Sequence, residues 1–286
     1  MPKNSLTIIA TANNFFEGSM KKVLLTLLAF NSVMVYAANE PQAICSPEAK
    51  QIEITQAVKW YRDSAEKKAL YNQAYGIATV YVTNLVKKDK LKPQTWGVVL
   101  DIDETTLDNS WYFRDCGELA SNESDFSRYV ANPEKSVALP GVVAFTHLVH
   151  KLGGYVSMVS NRDGSFSDDS GNVVTTTVAN LKQQGVYFDQ VLLANQRDSK
   201  TPSDKNPRFN AVNTANYDAS QMVWSNKLPA HKVIAYFGDN IQDFPKFKQP
   251  KMNALDENDA TFNVFGNGYF ILPNPMYGSW EKNQYN

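Results

Sequence analysis

The feature that most limits how this chain can fold is a rhythm beginning at Trp96, where short apolar runs recur between stretches of helical spacing. The runs cover residues 96–100, 155–159, 190–194, 233–237 and 269–272. Runs that are apolar throughout fit strands covered on both faces, and that covering requires helices between successive strands. One such helix is predicted from Val142, Phe145, His147, Leu148, Val149 and Leu152, with Gly153-Gly154 as its stop. The alternation therefore predicts an α/β fold built on a doubly wound parallel sheet.

Upstream of the sheet, Ser46-Pro47-Glu48 has the chemistry of a helix start: a capping hydroxyl, a proline in the first turn and an early acid. Val58, Tyr61, Ala65, Ala69 and Tyr75 follow at roughly helical spacing, which predicts one or two helices over 47–90 in an N-terminal helical segment at 46–92. Before that, Met20-Lys21-Lys22, an apolar run at 23–30 and the small residues Ala37 and Ala38 follow the order of a secretory signal peptide. Residues 1–37 are expected to be removed, with Met20 as the start and 1–19 as an upstream extension. The run is too short to span a bilayer stably, so the expected location is periplasmic or secreted, with no membrane anchor after cleavage.

Charge narrows the partners. With 28 basic and 29 acidic residues and a net charge of -1, the chain lacks the basic footprint of a protein that coats a nucleic acid polymer. Cys45 and Cys116 are the two cysteines, and in an oxidising compartment they can form one disulfide or remain two thiols; the sequence leaves both open.

In doubly wound sheets, ligands bind beyond the carboxyl ends of the strands, and the polar residues of this chain cluster there. Asp101-Ile102-Asp103-Glu104-Thr105 follows the first run, Ser160-Asn161-Arg162 the second, Lys200 and Lys205 the third, and Gly238-Asp239-Asn240-Ile241-Gln242-Asp243 the fourth. Two carboxylates as close as Asp101 and Asp103 repel unless a cation and hydrogen-bond donors compensate. Asp239 and Asp243 complete an oxygen-rich set suited to a hard cation, with Mg2+ the expected ion and no EF-hand spacing to suggest calcium. A phosphoryl group beside that cation needs further donors, which Ser160, its neighbouring amides and a lysine can supply. Lys205 is preferred to Lys200 because Lys205-Asn206-Pro207-Arg208 leads into a predicted helix start. His147, His150 and His231 form no zinc-ligand pattern. Neither cysteine has arginine six positions later and no Arg-His-Gly occurs, which excludes cysteine- and histidine-based phosphatase motifs.

These four clusters, in this order and strand context, resemble the four motifs of the haloacid dehalogenase superfamily. More narrowly, Trp60-Tyr61, Ser64-Ala65-Glu66, Ala69-Leu70-Tyr71, Gln73-Ala74-Tyr75 and the late Leu272-Pro273-Asn274-Pro275-Met276-Tyr277-Gly278-Ser279-Trp280-Glu281 are similar to class C acid phosphatases, some of which are 5'-nucleotidases. The resemblance covers about residues 46–281 and implies a catalytic domain over 93–286 with a small cap inserted near 108–140. It implies a metal-dependent acid phosphatase acting on small phosphomonoesters: Asp101 attacks phosphorus, and Asp103 serves as acid and then base. Asp101, the backbone carbonyl of Asp103, Asp239 and Asp243 would hold Mg2+, while Ser160, Asn161 and Lys205 bind phosphoryl oxygens. Aromatic residues at positions resembling Phe126 and Tyr277 sandwich a nucleobase in related enzymes, which implies 5'-nucleotides among the substrates. The chain departs from many class C members in lacking a lipobox cysteine. Two alternatives stay open: a noncatalytic storage or binding protein on the same fold, although Asp101 is intact, and a phosphotransferase. Physiological substrate and oligomeric state are not fixed by these residues.

Overall fold

The computed structural model describes residues 54–116, 123–132, 136–169 and 171–284. The signal-like segment, Cys45 and the helix start at Ser46-Pro47-Glu48 lie outside them. Six strands form the central sheet: β1 (Trp96–Leu100), β2 (Tyr155–Asp163), β3 (Gln190–Ala194), β4 (Met222–Trp224), β5 (Lys232–Gly238) and β6 (Tyr269–Ile271), in the spatial order β6-β5-β1-β2-β3-β4. All pairings are parallel except that of β4, which runs antiparallel to β3 at the edge. The sheet is thus mixed rather than wholly parallel, and β4 is a strand that the run pattern did not predict. Two other bounds differ: β2 continues past residue 159 to Asp163 across a bulge, and β6 stops at Ile271, one residue before the predicted end.

Eight α-helices accompany these strands among the described residues: α1 (Gln56–Asp63), α2 (Ala65–Lys88), α3 (Ser110–Cys116), α4 (Glu123–Ala131), α5 (Val142–Lys151), α6 (Val173–Gln183), α7 (Asn206–Thr214) and α8 (Gln249–Asn253). The N-terminal region makes two helices because Ser64 interrupts it. Its backbone is extended, and its side chain caps α2 by accepting from the Lys67 amide at 3.1 Å. Thr55 caps α1 in the same way through Val58. No helix among the described residues is long and apolar enough to cross a membrane.

Strand alternation divides the core between the two faces. Val98, Leu100 and Met158 join the cluster under α2 and α5, where Tyr75 stacks on Phe237 at 5.6 Å and meets Phe145. Val99, Val159 and Leu192 face the other way, onto Phe209, Ala211 and Val212 of α7. Each such side chain contributes about 1.5–3 kcal/mol by leaving water, so the two layers press the strands into a fixed register. In that register Leu100 lies opposite both Met158 and Phe237, which brings Asp101, Ser160 and Gly238 to one rim. Beyond that rim, Leu107–Asp108 pairs antiparallel with Val137–Ala138. Cys116, at the end of α3, is disulfide-bonded.

Candidate active site

Asp101 leaves β1 with its amide donating to Phe237 O at 3.0 Å, while Thr106 Oγ1 donates to its carbonyl at 2.7 Å. The chain then turns tightly, with the amides of Thr106 and Leu107 both reaching Ile102 O at 2.8 Å. Glu104 adopts φ 53°, a left-handed conformation uncommon for a residue with a side chain. This turn fixes where the two aspartates point.

The Asp101 carboxylate accepts from Lys205 Nζ, and the same ammonium lies 2.7 Å from Asp243 Oδ1. Oxygens of Asp101, Asp239 and Asp243 all lie within 4.8 Å of one another. Two of these carboxylates are held from behind. Asp239 accepts from Thr105 Oγ1 at 3.1 Å and Asn274 Nδ2 at 2.8 Å, and Asp243 accepts from the Asn240 amide at 2.9 Å. Gly238 lets Asp243 approach, since a Cβ there would stand 2.2 Å from Asp243 Cβ.

Buried Asp101 and Asp243 share a single ammonium, half-buried Asp239 lies beside them, and the protonation of Asp101 and Asp239 reflects this crowding. Burial pushes Asp101 well above the usual aspartate range against the lowering effect of Lys205, with Asp243 and Asp239 adding to the rise. Burial and then the neighbouring Asp243 push Asp239 up to about 7. Burial works against the charge on Lys205, yet Asp101 and Asp243 hold it above the ordinary lysine value. A donor set made only of hard oxygens, with negative charge in excess of its one cation, fits a divalent ion of the Mg2+ type.

Asp103 faces a different partner. Its carboxylate takes Arg162 Nη2 at 2.7 Å and Nε at 3.0 Å, together with Asn109 Nδ2 and Ser160 Oγ at 3.3 Å. It does not belong to the three-carboxylate group, so any part it plays at a cation would fall to its carbonyl. Arg162 is buried, and its remaining arm donates to Thr177 Oγ1 at 3.0 Å. Asn161 is exposed, with its Oδ1 turned to buried Arg208. Lys205 is buried between Asp101 and Asp243, whereas Lys200 is exposed.

Comparisons with known proteins give the family of the chain. The family model described as HAD superfamily, subfamily IIIB (acid phosphatase), matches residues 18–280. The chain belongs to this family. Among solved structures, it is similar to the class C acid phosphatase from Bacillus anthracis, at 27% identity and a TM-score of 0.61, over 79% of this chain and 85% of that one. A second structure, of the same enzyme with tungstate bound, matches at 26% identity and a TM-score of 0.61, with the same coverage. The chain is a phosphatase of the phosphoric monoester hydrolase kind, and its rim of acids is the corresponding candidate centre.

The aromatic residues of this acid phosphatase are distributed less simply. Tyr277 stacks on Phe113 of α3, with centroids 4.7 Å apart, and its hydroxyl donates to Glu104 Oε2. Phe126 of α4 packs against Tyr112 at 5.3 Å and Tyr129 at 6.4 Å. His147 and His150 are exposed on α5, and His231 is buried with Nδ1 at Pro229 O. Arg162, Arg208, Asn109, Thr105 and Asn274 all touch candidate site residues, and sequence reasoning assigned a role to none of them. Thr105 and Arg162 carried a signal as members of polar clusters at strand ends, Arg208 and Asn274 stood within motifs, and Asn109 carried none.

Proposed function

We propose that this phosphatase is a Mg2+-dependent acid phosphatase of the periplasm or secreted space. It hydrolyses phosphomonoesters, 5'-nucleotides among them, through an aspartyl-phosphate on Asp101. One observation carries the reading: Asp101, at the end of β1, shares the buried Lys205 ammonium with Asp243 and lies in one carboxylate group with Asp239. The tungstate in the Bacillus anthracis enzyme, an oxyanion, supports a similar anion site here.

Asp101 Oδ attacks phosphorus, a P–O bond forms, and the ester P–O bond breaks. Asp103 gives its proton to the departing alkoxide, and Arg162, Asn109 and Ser160 fix its orientation meanwhile. In the second half, Asp103 takes a proton from water whose oxygen attacks the same phosphorus, which restores the Asp101 carboxylate and releases inorganic phosphate. Lys205, Ser160 and Asn161 bind the transferred oxygens. Mg2+, held by Asp101, the carbonyl of Asp103, Asp239 and Asp243, would supply positive charge against the phosphoryl oxygens.

The test is hydrolysis of p-nitrophenyl phosphate by the wild-type protein and by Asp101→Asn, with and without EDTA. Turnover should vanish in EDTA, return with Mg2+ and be absent in Asp101→Asn, whose melting shows an intact fold. Turnover that survives either treatment sinks the proposal.

A further inference from the structure

The chemistry above uses what lies in front of the 101–105 turn. Behind it, α1 and α2 present three fully or almost fully buried tyrosines, Tyr61, Tyr71 and Tyr75. Tyr71 OH donates to the carbonyl of Glu104, and Tyr75 OH donates to the carbonyl of Thr105 at 2.8 Å. Tyr61 OH lies 2.6 Å from Tyr71 OH. A carbonyl has no proton to give, so the single proton of Tyr71 goes to Glu104 O, and Tyr61 must be the donor to Tyr71. The donors run in one direction, Tyr61 to Tyr71 to Glu104. Burial raises all three hydroxyls above the usual tyrosine range, which keeps them protonated as donors.

The turn needs this support. Glu104 has φ 53°, and a residue with a side chain persists in such a conformation only where its surroundings over-determine it. The Glu104 and Thr105 residues are fully buried, so their carbonyls require protein partners. The turn also joins both aspartates to a third acid, because Thr105 Oγ1 donates to Asp239.

We propose that Tyr61, Tyr71 and Tyr75 form a hydroxyl relay through which the N-terminal helices hold the backbone carrying Asp101 and Asp103. They act as positioning residues. Their effect on catalysis rests on the reading of those aspartates as the reacting groups; their effect on the backbone does not. Tyr71 and Tyr75 act on different carbonyls, whereas Tyr61 acts only through Tyr71.

The experiment compares Tyr61→Phe, Tyr71→Phe, the double variant and Tyr75→Phe with Tyr81→Phe. Tyr81 lies on the same helix but packs against Phe270, away from the turn. The first readout is amide hydrogen exchange of peptides covering residues 101–109 in the metal-free protein. The second is kcat and KM for p-nitrophenyl phosphate. Exchange in this segment should quicken by about tenfold or more in Tyr71→Phe, less in Tyr61→Phe, and not in Tyr81→Phe. The kcat of Tyr71→Phe should fall by about tenfold to a hundredfold, with KM within about threefold. The double variant should match Tyr71→Phe alone. Unchanged exchange in Tyr71→Phe overturns the proposal, as does a double variant whose effect is the product of the single ones. If Tyr71→Phe does not fold, Tyr75→Phe carries the test, and unchanged exchange there overturns the relay. Quickened exchange in a protein without phosphatase turnover would uphold the relay and remove the catalytic assignment of Asp101 and Asp103.

Discussion

Replacing Lys205 with methionine removes, at nearly constant side-chain length, the one ammonium among the described residues that contacts Asp101 and Asp243. In the folded protein Lys205 is 2% exposed, and its ammonium touches both Asp101 and Asp243. Removing one partner of a buried ion pair costs about 3–5 kcal/mol, because the remaining charge stays buried without compensation. At about 2–4 °C per kcal/mol for a domain of this size, the metal-free variant should melt about 6–20 °C below the wild type at pH 8. The loss should also depend on pH in a fixed sense. A carboxyl raised in the folded state favours folding while protonated, and that contribution fades as pH rises through the raised value. Asp239 titrates near 7 and Asp101 is raised as well, so the deficit should be small near pH 5 and widen above pH 7. A divalent cation should narrow it at pH 8, since a site that has lost its ammonium draws the ion more strongly than the wild-type site does, and each tenfold gain in affinity adds about 1.4 kcal/mol to the variant alone. Scanning calorimetry at pH 5 and pH 8, with and without Mg2+, measures all of this. A melting temperature within about 2 °C of the wild type at pH 8 without Mg2+ would refute the reasoning, as would a deficit that neither acid nor cation reduces.

Two further expectations concern catalysis. Asp103→Asn should slow hydrolysis most for esters with poor leaving groups and least for p-nitrophenyl phosphate, and equal slowing across a leaving-group series would count against an acid role. Tyr277→Leu should raise KM for 5'-nucleotides by about 5- to 150-fold, the range that corresponds to one stacked base, while glycerol phosphate hydrolysis stays unaffected. Tyr277→Phe, which keeps the ring and removes the hydroxyl held by Glu104, separates stacking from that contact.

The strands that sequence revealed best were those buried on both faces. Residues 96–100 and 190–194 are strands to the residue, because a run covered by helices on either side is apolar almost throughout, Gln190 being the buried exception. Met222–Trp224 escaped notice because three residues at an antiparallel edge are too few to establish a period. The end of β2 was hidden for another reason: its last residues are polar, and they pair with β3 only across a bulge that no local pattern announces. At the site, the acids were visible from their position after apolar runs. Lys205 was preferred to Lys200 for the helix start that follows it, and the burial that separates the two depends on how α7 docks, which spacing does not show. Arg162 reaching Asp103 and the tyrosines reaching Glu104 and Thr105 are contacts between residues 30 or more positions apart, and their separation leaves no trace in composition or spacing.

The order of the strands has a consequence for the lifetime of the centre. β1 is flanked by β2 and β5 in register, and the acids on its rim come from widely separated parts of the chain. No fragment ending before β5 contains the full set, so a growing or partly unfolded polypeptide offers an ion only scattered carboxylates. The three-carboxylate group therefore forms only once β5 has joined β1, and it is lost when the two part.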